Sequence, residues 1–142
     1  MIPKGIKSFL KLIQSKSTIF PNSESCKMSI IVRTDIKMGS GKIGAQCAHA
    51  AVECYRLGTN CGKYENILKT WVYSGQPKII LRAASERELY NLERNAKLAG
   101  VITAVIRDAG RTQLKQGTVS VLGIGPAPKD VVDKLTCHLK LL

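Results

Sequence analysis

Four short, β-branched apolar runs, separated by stretches of helical periodicity, leave this chain few ways to fold. Met28 to Arg33, Lys78 to Arg82, Val101 to Arg107 and Val119 to Ile124 each have the length and composition of a buried strand. Between the first two, a Gly-rich turn opens a helix from about Lys42 to Leu57. A second helix follows, with Tyr64, Ile67, Leu68, Trp71 and Val72 at positions i, i+3, i+4, i+7 and i+8. Ser85 and Glu88 have the spacing of a capping box, and Gly100 closes the helix that they open. Pro126 and Pro128 lead into a last short helix near Asp130 to Leu135. His138 to Leu142 alternates polar and apolar and reads as a terminal strand. The order β-α-α-β-α-β-β-α predicts an α/β fold of three layers, with helices on both faces of a small mixed, largely parallel sheet of about four strands. Ligands of such sheets bind beyond the carboxyl ends of the strands, which directs attention to the residues just after Arg33, Arg107 and Ile124.

Residues 28–142 are expected to form one domain behind a basic extension, residues 1–27. In the extension Ile2, Ile6, Phe9, Leu10 and Ile13 recur at helical spacing among Lys4, Lys7 and Lys11, ahead of a Ser-rich stretch broken by Pro21. Such a segment fits an organelle-targeting sequence, although those favour Arg and every basic residue here is Lys. A disordered extension reads as well. The expected address is therefore cytoplasmic, with a mitochondrial one open through this segment.

The formal charge is +12, and residues 1–27, with five Lys and one Glu, hold +4 of it, leaving +8 on residues 28–142. A body that basic points to a polyanion, nucleic acid above all, against the alternative of a merely soluble basic surface. The five Cys are odd in number and include no C-x-x-C pair, so neither a disulfide framework nor a zinc site is expected. A reducing compartment is the simpler setting. Cys47 and Cys54 fall on the apolar side of the first helix, where a thiol acts as a small hydrophobe. No run approaches the roughly 20 apolar residues of a membrane span.

Gly39-Ser40-Gly41-Lys42 follows a strand and opens a helix, a place where backbone N–H groups and the helix dipole suit an anion. It is not a P-loop, because Ile36 and Ile43 stand where Gly and a hydroxyl would be needed. The dinucleotide fingerprint fails too, for want of an acidic residue at the expected distance. Down the helix, Lys42, Gln46, His49, Glu53 and Arg56 form one stripe, and Ile43, Cys47, Ala50 and Cys54 another that faces the core. The polar stripe is a solvated face or, in its first turns, the wall of a ligand site. Asp108, at the tip of an apolar strand and flanked in sequence by Arg107, Arg111 and Thr112, either takes a proton or forms a turn with its own backbone. Paired N–H groups of the two Arg could hold a phosphate. Gly123-Ile124-Gly125-Pro126 adds a further close-approach loop. No metal-ligand cluster of suitable spacing exists, and no cofactor is expected.

Five ordered segments carry a resemblance to a known family. They are Met28 to Gly39, Gly41 to Ala51, Gly75-Gln76-Pro77-Lys78, Asp108-Ala109-Gly110-Arg111-Thr112-Gln113 and Val121 to Pro126, closed by His138-Leu139-Lys140-Leu141. Together they resemble the peptidyl-tRNA hydrolase 2 family over about residues 28–142. Ser40 departs from the pattern, since many members carry a second Lys there. The resemblance implies hydrolysis of the ester that joins a peptide to the tRNA 3′ ribose, freeing tRNA from aborted peptides, by water attack without a metal. It implies peptidyl-tRNA as substrate and a homodimer. Lys42 and Asp108 match the positions that the family treats as essential. With them His49 and Thr112 form the implied catalytic set, and Gln46, Arg111, Gly41 and Gly110 the implied substrate-binding set. Whether Asp108 or His49 is the general base stays open. The rival reading is a non-catalytic tRNA-binding module, against which aromatics at 5% provide no stacking platform.

Overall fold

The computed structural model describes residues 25–111 and 114–142 together with Phe20. The helical periodicity of residues 2–13 and the position of Thr112 lie outside the described residues. Five strands form one sheet: β1 (Cys26–Arg33), β2 (Lys78–Ala83), β3 (Thr103–Arg107), β4 (Val119–Pro128) and β5 (Lys140–Leu141). Four helices flank it: α1 (Ser40–Thr59), α2 (Glu65–Tyr73, after a 3-10 turn at Gly62–Tyr64), α3 (Glu86–Leu98) and α4 (Lys129–Thr136).

The strand order is β3-β4-β1-β2-β5. β1 is central, and seven of its eight residues are buried because helices cover both of its faces. Its side chains alternate: Met28, Ile30 and Val32 join a core with Ala50, Cys54, Ile67 and Trp71 from α1 and α2. Ile31 faces the opposite core, built on Leu89, Leu92 and Ala96 of α3 and Val132 of α4. The expected three layers are thus present.

The sheet is mixed, but it differs from the expectation in strand count and in pairing. It has five strands rather than about four, and β1–β2 is its one parallel ladder; β1–β4, β3–β4 and β2–β5 are antiparallel. The cause is the placement of β4, which returns from β3 by a hairpin and inserts between β3 and β1. Even so, β1, β2 and β3 run in one direction, so their carboxyl ends share one edge of the sheet with the start of β4. β4 also continues to Pro128, past the point where Pro126 and Pro128 were expected to end it. Proline lacks the ladder N–H and fits a strand where pairing is irregular, and the β1–β4 register shifts between Lys27 and Ser29, opposite this segment. The Gly125–Pro126 peptide is cis.

Local signals explain the helix boundaries. Glu88 N–H donates to Ser85 Oγ at 3.2 Å, and the Glu88 carboxylate accepts from Ala84 N–H at 2.7 Å, so the capping box fastens the start of α3. Gly100, with φ +73°, turns the chain out of α3. α1 rests against β4 at Gly123, where an added Cβ would lie 2.5 Å from Cys54 Sγ and 3.3 Å from the Ala50 carbonyl oxygen. Only a residue without a side chain lets the helix lie that close. Burial pushes the Cys54 thiol up to about 12, so it stays a neutral packing group. Gly123→Ala is expected to destabilise the fold by about 1–3 kcal/mol in urea unfolding, the usual cost of overpacking. Cys54→Ala in that background should recover part of the loss; no cost for Gly123→Ala would show that α1 does not depend on this close approach.

Candidate active site

Strand alternation decides which side of the sheet each residue at the end of β3 reaches. Ala104 and Ile106 pack under α1, and Val105 packs on the α3 side. Continuing the alternation, Arg107 turns toward α3 and Asp108 toward α1. The contacts follow. Arg107 Nη2 donates to Tyr90 Oη on α3 at 2.9 Å, and Nη1 donates to the Gly117 carbonyl at 3.2 Å. Asp108 Oδ1 instead receives the ammonium of Lys42, in the first turns of α1. Arg107 therefore flanks Asp108 in sequence only.

The Asp108 side chain is 1% exposed and that of Lys42 17%, so the carboxylate sits beneath the cation. Its backbone is fixed as well: Asp108 N–H donates to the Thr118 carbonyl, and the Asp108 carbonyl accepts from Gly117 N–H, both at 2.8 Å. These bonds close the loop between β3 and β4. Inside it Gly110, with φ +78°, turns its N–H onto Asp108 Oδ2 at 2.7 Å. A Cβ there would meet Gln116 Cβ at 2.7 Å, so glycine is required on two counts. The Lys42 hydrogen bond, with the Gly110 N–H second, holds the Asp108 carboxyl below its ordinary 3.8, against the opposing effect of burial.

α1 begins at Ser40 with Gly39 as an uncapped, extended N-cap and no acidic residue in its first turn. The first N–H groups of the helix are thus left to solvent or ligand, beside Lys42. Gly41 is exposed there, with nothing within 4 Å of where its Cβ would be. Gln46 departs from the expected polar stripe: it is 4% exposed and lies on the buried line with Ala50 and Cys54. The hydroxyl of Ser120 draws it in, accepting from Gln46 Nε2 at 2.7 Å while donating to the Ile106 carbonyl at 3.3 Å. His49 and Arg111 are exposed, His49 farther along α1 and Arg111 on the β3–β4 loop.

Lys42, Asp108, Gly110 and Gln46 are thus gathered at one edge, with Gly41 on its rim; among the described residues, His49 and Arg111 form no hydrogen bond or ion pair with that group. Sequence reasoning overlooked Ser120, whose hydroxyl inside an apolar strand was the available signal, and Tyr90, which had none. It also overlooked Arg33, a buried guanidinium that ties the strand ends together through Asp35 (3.0 and 2.8 Å) and the Val119 carbonyl (2.9 Å). A cavity of about 570 Å³ between α1 and α2, lined in part by Tyr55, Leu68, Val72 and Tyr73, holds none of the expected site residues. Among the described residues no group of three or more His, Cys, Asp or Glu is placed to hold a metal ion, and no helix is long and apolar enough to cross a membrane.

A strand-edge carboxylate under a helix-start lysine, in a small basic α/β domain, defines a class of protein that can bring a charged pair to a polyanionic substrate. Comparison with known proteins specifies the class. The family model for peptidyl-tRNA hydrolase PTH2 matches residues 26–142. A human protein named peptidyl-tRNA hydrolase 2, mitochondrial, is 46% identical over 142 residues, covering 99% of this chain and 78% of its own length. Peptidyl-tRNA hydrolases of the archaea Metallosphaera sedula and Saccharolobus solfataricus are each 47% identical, covering 82% of this chain and 99% and 98% of their own. The chain belongs to the peptidyl-tRNA hydrolase 2 family.

The lowered carboxyl of Asp108 gives a signed prediction. A group with a depressed folded value contributes stability above its unfolded value, about 3.9, and loses that contribution as pH falls through the lower folded one. The stability gap between the wild type and Asp108→Asn in urea unfolding should hold steady from about pH 7 to about pH 5. Below about pH 4 it should shift against the wild type. A shift in the wild type's favour on acidification would contradict the ion pair.

Proposed function

We propose that this chain hydrolyses the ester between a peptide's carboxyl end and the 3′-terminal ribose of tRNA, releasing free peptide and free tRNA. The observation that carries the reading is the contact of Lys42 with Asp108 at the carboxyl edge of the sheet. Family membership supplies the substrate class, and the basic body a reason for an RNA partner.

In the proposed reaction a water oxygen adds to the ester carbonyl carbon while Asp108 takes or orients the water's proton. Negative charge builds on the carbonyl oxygen, where the Lys42 ammonium either offsets it directly or holds the terminal phosphate nearby. Collapse of the tetrahedral intermediate expels the ribose oxygen, which takes up a proton. His49, about two turns along α1 from Lys42, donates that proton or orients a neighbour. Both carboxylate oxygens of Asp108 accept hydrogen bonds. Each oxygen keeps a further lone pair with which to take or orient the water's proton. Gln46, held by Ser120, steadies the start of α1; Arg111, Gly41 and Gly110 contact substrate, and Thr112 completes the catalytic set on the strength of the resemblance.

Two further parts of the reading rest on resemblance and on the relatives' names. One is a homodimer, which sedimentation would reveal. The other is a mitochondrial address carried by residues 1–27, which a reporter fused behind them would reveal.

Single-turnover cleavage of a peptidyl-tRNA, paired with tRNA affinity, tests the chemistry. Asp108→Asn keeps the shape and removes the charge, so turnover should fall about 10²-fold or more while affinity holds or rises slightly. Lys42→Ala should lower turnover with some loss of affinity, and Arg111→Ala should mainly weaken binding. Near-normal cleavage by Asp108→Asn would move the base to His49. No cleavage by the wild type would leave a non-catalytic tRNA-binding protein.

A further inference from the structure

The two faces of the sheet differ in how their cations are engaged. On the α1–α2 face Arg56 pairs with Glu53 at 2.6 Å and Lys69 with Glu65 at 2.9 Å. Lys63 and Lys78 lie over the rings of Tyr64 and Trp71, at 5.1 and 4.8 Å from their centroids. Val52, Tyr55, Val72 and Tyr73 are large apolar side chains exposed there. On that face carboxylates neutralise Arg56 and Lys69, while Lys63 and Lys78 keep their charge against neutral rings.

The α3 face is the reverse. Its carboxylates have partners: Glu93 pairs with Lys97 at 2.6 Å, Glu88 accepts from Ala84 N–H, and Glu86 stands 3.8 Å from the buried Arg33. Arg87, Arg94 and Arg107 are exposed and have no carboxylate partner among the described residues. Arg87, Tyr90 and Arg94 fall at i, i+3 and i+7 on α3, one outward stripe opposite the buried Leu89, Leu92 and Ala96. Tyr90 joins the third arginine to this stripe by accepting from Arg107 Nη2. Both acceptors that hold Arg107, a phenol and a carbonyl, are neutral. They fix the guanidinium without neutralising it, which suits a ligand that brings the negative charge itself. Arg107 is also next in sequence to Asp108 on the opposite face, so a strand of phosphates could cross the sheet edge from one to the other.

We propose that Arg87, Arg94 and Arg107, arranged around Tyr90, bind the phosphates of the tRNA body. The RNA thus lies across α3, and its 3′ end turns over the β3–β4 edge to Lys42 and Asp108. The inference rests on the hydrolase reading for the identity of the RNA, but it concerns a surface that the chemistry does not use.

Two matched triple variants test it, each removing three positive charges: Arg87, Arg94 and Arg107→Gln on α3, and Arg56, Lys63 and Lys69→Gln on the other face. Affinity for deacylated tRNA is measured across a potassium chloride series. The α3 triple should bind about 10-fold or more weakly and lose about two to three from the slope of log affinity against log salt, at slightly under one per phosphate contact. The control triple should change little. Replacing the same three arginines by Lys should restore most of the slope, because charge and not side-chain shape sets it. Arg94→Gln alone, at an exposed helix position, should carry about a third of the change and covers the case of a triple that does not fold. Equal losses in both triples, or an unchanged slope in the α3 triple, overturn the proposal. A wild type that binds tRNA through α3 yet cleaves no peptidyl-tRNA would overturn the hydrolase reading and leave this surface standing.

Discussion

A carboxylate covered to 1% exposure cannot stay ionised without donors, and Asp108 has two, the Lys42 ammonium and the Gly110 N–H. Each of these depends on a different part of the fold. The first requires α1 to begin directly over the end of β3, so that its first turns reach down to the sheet edge. The second requires the β3–β4 loop to turn back on itself through a positive-φ glycine. Much of the remaining architecture serves these two placements. Gly123 lets α1 lie close on β4, Ser120 ties Gln46 to the same strand, and the Arg33 bonds to Asp35 and Val119 hold the neighbouring strand ends in place.

The same geometry divides the work between the two faces. Because successive residues of a strand point to opposite sides, Arg107 and Asp108 are neighbours in sequence yet serve different layers. The acidic residue goes under α1, where a cation restrains it. The basic one goes to the α3 side, where neutral groups hold it and its charge remains available. A single strand end thus presents a carboxylate to one side and an un-neutralised guanidinium to the other.

Much of this was legible in the sequence where a signal is local. The β-branched runs gave the strands, the capping box gave the start of α3, and the Gly-rich turn gave the start of α1. Lys42 and Asp108 stand out by position, one at a helix start and one at a strand end, and by the family resemblance, and they meet. What depends on pairing was not legible. The insertion of β4 between β3 and β1 follows from long-range register, so a sheet read as largely parallel has one parallel ladder among four. Gln46 looked like part of a solvated stripe because helical spacing does not reveal a hydroxyl waiting on a strand 74 residues away. Arg107 looked like a companion of Asp108 for the same reason: adjacency in sequence hides the alternation that separates them.

The central claim is that Lys42 and Asp108 act as one unit in ester hydrolysis. A double-mutant cycle on single-turnover cleavage of peptidyl-tRNA tests it most directly, comparing wild type, Lys42→Ala, Asp108→Asn and the double variant. Residues that act together are non-additive, so the double variant should be little slower than the slower single variant. Losses that simply multiply would mean that the two residues contribute independently, and the pair would not be the centre of the reaction.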